Sequence, residues 1–178
     1  MSKSYSFVEL CQALRKSQVF MRNLQSGLDL FIAPNSDRYG EAYLNFLQKV
    51  VALRTLNIAV EDIRDLFIKE KRIMEMLHVD TASDSPTWYL DGCELHSSSE
   101  SRLFLTGYDV GVPLYSGNVQ PQLNFDGEPR ELFTGPDMGE DVREFCKNYW
   151  RQLEKLKRRI LEEKQVLRSA LAWADRAI

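Results

Sequence analysis

Six residues near the N-terminus, Arg15, Lys16, Ser17, Gln18, Arg22 and Asn23, crowd guanidinium, ammonium, hydroxyl and amide groups into one short stretch. These are the groups that hold phosphate oxygens and pair with base edges. Arg makes bidentate contacts to guanine and Asn or Gln to adenine, while Lys serves phosphate as a point charge. Arg38 and Tyr39 follow a polar loop, "APNSD", and supply a second phosphate donor beside an aromatic ring.

The elements that must position these groups are helices. Ser17 is a favourable N-cap for a helix whose apolar face is Phe20, Met21 and Leu24. Before it, Phe7, Leu10, Cys11 and Leu14 mark a first amphipathic helix across a tight turn. Gly27 loosens the end of the second helix, and Ala33 to Asp37 is turn chemistry. Two further runs follow, with Tyr43, Leu44, Leu47, Val50 and Val51 on one, and Val60, Ile63, Leu66 and Phe67 on the other, broken at Asn57. The order is helix, turn, helix, polar loop, helix, helix. In a winged helix-turn-helix of that order the second helix enters the major groove and the loop reaches the flanking backbone.

Other chemistry has little support. There is no nucleophile elbow, no phosphate-cradling glycine loop and no HExxH, so the chain is not expected to be an enzyme. Cys93-x-x-His96, with Cys11, Cys146 and His78 far along the chain, falls short of the four closely held ligands of a zinc site. No metal and no cofactor are expected. Three widely spaced cysteines fit reduced thiols better than a disulfide framework.

The 178 residues, 44% apolar and 28% charged, are enough for a core and for one domain or two small ones. No apolar run approaches the ~20 residues of a membrane span, and the N-terminus lacks a signal-peptide core. A cytoplasmic, nucleoid-associated protein is the expectation. Net charge is −3, unevenly spread. Residues 1–78 are +2, residues 79–138 are −8 and residues 139–178 are +3. The acidity of the middle would repel DNA and favour a cationic effector or a basic protein surface.

Three regions follow: 1–78 as the winged helix, 79–138 as an acidic β-hairpin element, and 139–178 as a dimerisation helix. In the middle region Asp91-Gly92, between Trp88-Tyr89-Leu90 and Cys93-Glu94-Leu95, is a two-residue hairpin signal. "SRLFLTGYDVG" reads as another strand, and "QLNFDGEPRELF" holds a second Asp-Gly turn. The aromatics Trp88, Tyr89, Phe104, Tyr108, Tyr115 and Phe125 read as the core of this element, with an effector pocket as the alternative. From about Met138 a long helix carries Tyr149, Leu153, Leu156, Ile160 and Leu167 at 3–4 spacing, interrupted at Glu163. That stripe predicts a coiled coil, most simply with a second copy of the chain.

"FVELCQALRKSQVFMRNLQ" followed by "DRYGEAYLNFLQKVVALRTLNIAVEDIRDLF" resembles the DNA-binding domain of MerR-type transcription regulators. Glu9-Leu10-Cys11 matches the start of that family's first helix, Ser17 its capping residue and Met21-Arg22 its hydrophobic-Arg pair. Arg38-Tyr39 matches the wing signature, and Leu53-Arg54-x-Leu56 with Ile63 the closing helices. Arg15 and Asn57 stand where the family has glycines, Asn23 and Leu24 where it has an aromatic pair, and Ala59 where it has a Ser/Thr cap. The resemblance implies a mainly α chain with a winged helix-turn-helix over residues 5–67. It also implies an antiparallel dimer helix, and a dimer that controls transcription by distorting promoter DNA. The rival reading is an interaction scaffold that keeps the winged fold without DNA binding.

Overall fold

Ser6 sets the first boundary. Its hydroxyl accepts from the Glu9 N–H and the Glu9 carboxylate accepts from the Ser6 N–H, a capping box that opens α1 (Phe7–Leu14). The computed structural model describes residues 3–34, 38–77, 86–91, 102–110 and 140–174. Helix α1 ends at Arg15, which lies in the left-handed region with φ 52°. Two residues later the Ser17 hydroxyl accepts from the Phe20 N–H at 3.2 Å and starts α2 (Gln18–Gly27). Short strands β1 (Ser4–Tyr5) and β2 (Tyr39–Gly40) pair antiparallel, Ser4 opposite Gly40 and Tyr5 opposite Tyr39. Then come α3 (Glu41–Thr55) and α4 (Val60–Met76), separated by a turn through Asn57 at φ 58°. Ala59 precedes α4 with no side-chain cap bond.

These four helices close on one apolar core. Leu10, Met21, Tyr43, Leu47, Val50, Ile63 and Phe67 are all fully buried in it. Gly27 permits a close approach: a Cβ there would stand 3.0 Å from Val60 Cγ1, so a larger residue would require Val60 to give by a few tenths of an ångström. Tyr39 and Tyr43 stack at 4.6 Å under the loop that joins α2 to β2.

The middle region departs from the hairpin expectation. Trp88–Asp91 forms a single helical turn, α5, and not the first strand of a hairpin. The N–H groups of Leu90 and Asp91 both donate to the Thr87 carbonyl, at 2.7 and 2.9 Å, and the Thr87 and Asp91 side chains are bonded to each other. A strand would send Tyr89 and Leu90 to opposite faces. Here both are buried, which a helical turn against α3 allows. The stretch around Leu105 is not one strand either. Arg102 and Asp109 form an isolated antiparallel bridge around a tight reversal, with Leu103 N–H donating to Tyr108 O at 2.9 Å and Gly107 at φ 73°. The second Asp-Gly turn, Cys93, His96, Tyr115 and Phe125 lie outside the described residues. The only sheet among the described residues is β1–β2, in the N-terminal region.

The long C-terminal helix is present as α6 (Glu140–Ala174), ~52 Å at 1.5 Å per residue. Its first half docks along α4. Among the described residues no helix is long and apolar enough to cross a membrane.

Candidate nucleic-acid interface

Helix α2 turns one face inward and one outward. Met21, Leu24 and Gln25 are buried, while Gln18, Val19, Asn23 and Ser26 are exposed and Arg22 is half-buried. At about 100° per residue the outward set spans an arc of roughly 140°. Arg15, Lys16 and Ser17, in the turn ahead of α2, are also exposed. From residue 10 to residue 28 the chain carries no acidic side chain, so no carboxylate stands among the basic, amide and hydroxyl groups that the turn and α2 present.

Three of the basic groups are already engaged, Lys16 through its ammonium 5.4 Å from the centre of the Phe20 ring and two arginines more closely. The Arg22 guanidinium lies 3.9 Å from the centre of the Phe7 ring, a stacked cation–π contact that fixes it across the α1–α2 junction. Arg38 Nη2 donates to the Ser4 carbonyl at 2.9 Å and to Glu9 Oε2 at 2.7 Å, tying the strand after the loop to the start of α1. Bonds from the Ser6 backbone and hydroxyl, and then the Arg38 charge, hold the Glu9 carboxyl below its ordinary range. Both partners of the Arg38–Glu9 pair are half exposed, so water screens it.

Tyr39 does not face solvent. It is 2% exposed, and its hydroxyl accepts from Ala33 N–H at 2.8 Å and Gln25 Nε2 at 3.2 Å. Gln25 also donates to Tyr43, whose hydroxyl donates to the Phe31 carbonyl at 2.6 Å. Tyr39 therefore anchors the loop from inside, and the outward contact falls to Arg38. Burial pushes the Tyr43 hydroxyl far above its ordinary value, so Tyr43 keeps its proton and donates to Phe31.

The expected pairing stripe divides. Tyr149, Leu153 and Leu156 are buried within the chain, where α6 meets α4. Ile160 is half-buried, while Leu161 and Val166 are each 63% exposed and Leu167 42%. The partner that the first half of the stripe requires is supplied by the chain's own α4. Polar bonds line that seam: Arg159 donates to Asp62 at 2.9 Å, and Gln152 donates to Asp65 at 2.6 Å.

One buried acid went unnoticed in the sequence. Glu70 is 0% exposed. Its Oε1 accepts from Leu105 N–H at 2.7 Å and from the Tyr149 hydroxyl at 2.9 Å, and its Oε2 accepts from Thr106 N–H at 2.8 Å. The carboxylate thus joins α4, the 102–110 reversal and α6. Burial raises its pKa, against the opposing pull of these bonds. A signal existed: Glu70 falls at helical spacing among Ile63, Leu66, Phe67, Ile73 and Met74, a core position for a charged residue. Cys146 is buried beside this seam, which pushes its thiol up to about 11 and leaves it unreactive at neutral pH.

Neither protein-family models, nor characterised proteins, nor solved structures provide a match to this chain.

Proposed function

We propose that residues 3–77 are a DNA-binding head of the winged helix-turn-helix kind and that the chain is a transcription regulator acting as a dimer. The observation that carries this reading is the outward arc of α2. Gln18, Arg22 and Asn23 stand on it, Arg15 and Lys16 flank it, and no acid interrupts the tract. Arg15 and Lys16 serve phosphates, and Gln18, Arg22 and Asn23 serve base edges. Arg38 serves a flanking phosphate. Its pair with Glu9 is exposed and screened by water, so a phosphate displaces the carboxylate at small cost. The resemblance to MerR-type regulators supports promoter DNA as the target. With Tyr149, Leu153 and Leu156 buried against α4, pairing falls to the continuation of the same stripe, half-buried Ile160 and exposed Leu167.

The test is selection of duplexes from a random pool, followed by binding curves at several salt concentrations. Arg15→Ala and Lys16→Ala should weaken every duplex alike and reduce the salt slope by roughly one each. Arg22→Ala should cost about 1–3 kcal/mol and relax preference at one base pair. Absence of any enriched or salt-dependent duplex would reject the reading. The engagement of Arg22 with Phe7 and of Arg38 with Glu9 favours one alternative, a scaffold whose helix-turn-helix face binds protein. On that alternative all three variants bind duplexes no differently from the wild type.

A further inference from the structure

Val19 is 71% exposed, the highest value among the exposed large hydrophobic side chains of the described residues. It stands in the second position of α2, one residue after Gln18. Its neighbours on the outward arc, Gln18, Arg22, Asn23 and Ser26, are polar. Val19 sits among them and not at the edge of the apolar face, which is formed by Met21 and Leu24 on the far side of the helix. Packing within the chain does not account for a valine there. Nor does helix propensity, since β-branching makes valine a poorer helix former than alanine or leucine.

A duplex offers one apolar feature in the major groove, the 5-methyl group of thymine. Residues at the N-terminal end of a recognition helix are those that reach base edges. A valine suits that methyl. Its isopropyl group holds a single favoured rotamer in a helix, so little side-chain freedom is lost on contact. Gln18 before it and Asn23 one turn beyond carry amides whose bidentate partner is adenine. All three preferences agree on A·T pairs.

Resting on the DNA-binding reading above, we infer that Val19 is a specificity-determining residue that contacts a thymine methyl, in a half-site whose adjoining pairs are A·T.

The inference is tested with the full chain and the duplexes selected from a random pool. Each thymine of the best duplex is replaced in turn by deoxyuridine, which removes the methyl and nothing else. One position per half-site should lose affinity by about three- to fivefold, the value of one buried methyl group. In Val19→Ala that position should become indifferent to the replacement, whereas Gln18→Ala should keep its response. Val19→Thr, which retains one methyl, should fall between. The exposure of Val19 makes folding of all three variants the expectation, and unchanged melting temperatures check it. If the wild type binds a selected duplex tightly and every deoxyuridine replacement is neutral, the Val19 inference is overturned and the DNA-binding reading stands. A response that persists in Val19→Ala assigns the methyl to another residue and also overturns it. If no duplex is selected at all, both readings fall, and Val19 belongs to a protein-binding face.

Discussion

Glu70→Gln is the most informative single substitution on the α4–α6 seam. It preserves shape and exchanges one acceptor oxygen for an amide donor. The wild-type carboxylate accepts from Leu105 N–H, Thr106 N–H and the Tyr149 hydroxyl at 2.7, 2.8 and 2.9 Å. Whichever way the new amide is turned, its NH2 faces one of the two backbone N–H groups. A buried donor left without an acceptor costs about 1–3 kcal/mol, and the bond formerly made there is lost at about 1 kcal/mol more. The expected total is about 2–4 kcal/mol. For a chain of this size that lowers the melting temperature by roughly 5–15 °C. Tyr149→Phe provides the partner measurement. It removes the hydroxyl that donates to Glu70 and that also accepts from Phe104 N–H at 3.0 Å, for about 1–2 kcal/mol. Because the two side chains share one bond, the double variant should fall short of additivity by at least about 0.5 kcal/mol. Urea unfolding followed by circular dichroism gives all four stabilities. A Glu70→Gln protein within about 0.5 kcal/mol of wild type, or strict additivity in the cycle, would refute the account of this cluster.

Other outcomes follow from the same structure. Burial raises the Glu70 pKa above its unfolded value, so its contribution to stability is complete at low pH and declines as pH rises through the folded pKa. The deficit of Glu70→Gln against wild type should therefore be larger near about pH 4 than near about pH 8 in urea titrations, and a deficit that grows with pH contradicts the sign. Arg15 holds φ 52°, a conformation that glycine adopts freely, so Arg15→Gly should raise the urea midpoint by the equivalent of about 0.5–1 kcal/mol even as it removes a proposed DNA contact. Ala59 leaves the start of α4 uncapped, and Ala59→Asp should stabilise the fold by about 1 kcal/mol in the same assay. Leu167→Asp, on the exposed end of the α6 stripe, should leave the melting transition in place and abolish the proposed dimer in light scattering; dimers that persist would locate the contact elsewhere.

The N-terminal helices were legible because local chemistry and tertiary packing agree there. Ser17 looks like a cap and is one. Arg15 and Asn57 stand at positions where the family that the sequence resembles has glycine, and both take positive φ. The apolar spacing of residues 10–14, 43–51 and 60–67 names the faces that are buried. Agreement ends where a short segment depends on what it packs against. Trp88–Asp91 holds aromatic residues that favour strands, but Thr87 and the surface of α3 make it a helical turn. The stripe on α6 was recognised as apolar, yet spacing does not say which helix covers it. In this chain α4 covers the first half. The ring of Tyr39 packs on Tyr43 as an anchor of the wing should, but its hydroxyl turns inward to Gln25 and Ala33 and not out to a phosphate. Of the candidate interface, the residue types were visible beforehand. What was not visible is that Phe7 and Glu9 already hold two of its arginines.

Glu70 and Tyr149 are 79 positions apart, and Asp62 and Arg159 are 97 apart. The contacts that close α1 to α4 join much nearer segments. Loop-closure entropy therefore orders assembly in time: the first four helices meet early, and α6 arrives across a long span. Until it does, one edge of α4 lacks its cover, and Glu70 keeps water as its partner. Leu105 and Thr106, 35 and 36 positions from Glu70, replace part of that water sooner, and the Tyr149 hydroxyl replaces the rest in the final stage of folding. A bond that forms so late should have a φ-value near zero, so its loss in Tyr149→Phe should accelerate unfolding and leave the folding rate almost unchanged. The bond from Tyr149 to Glu70 would thereby set how long the finished molecule stays closed, while the speed at which it forms is decided by the helices before it.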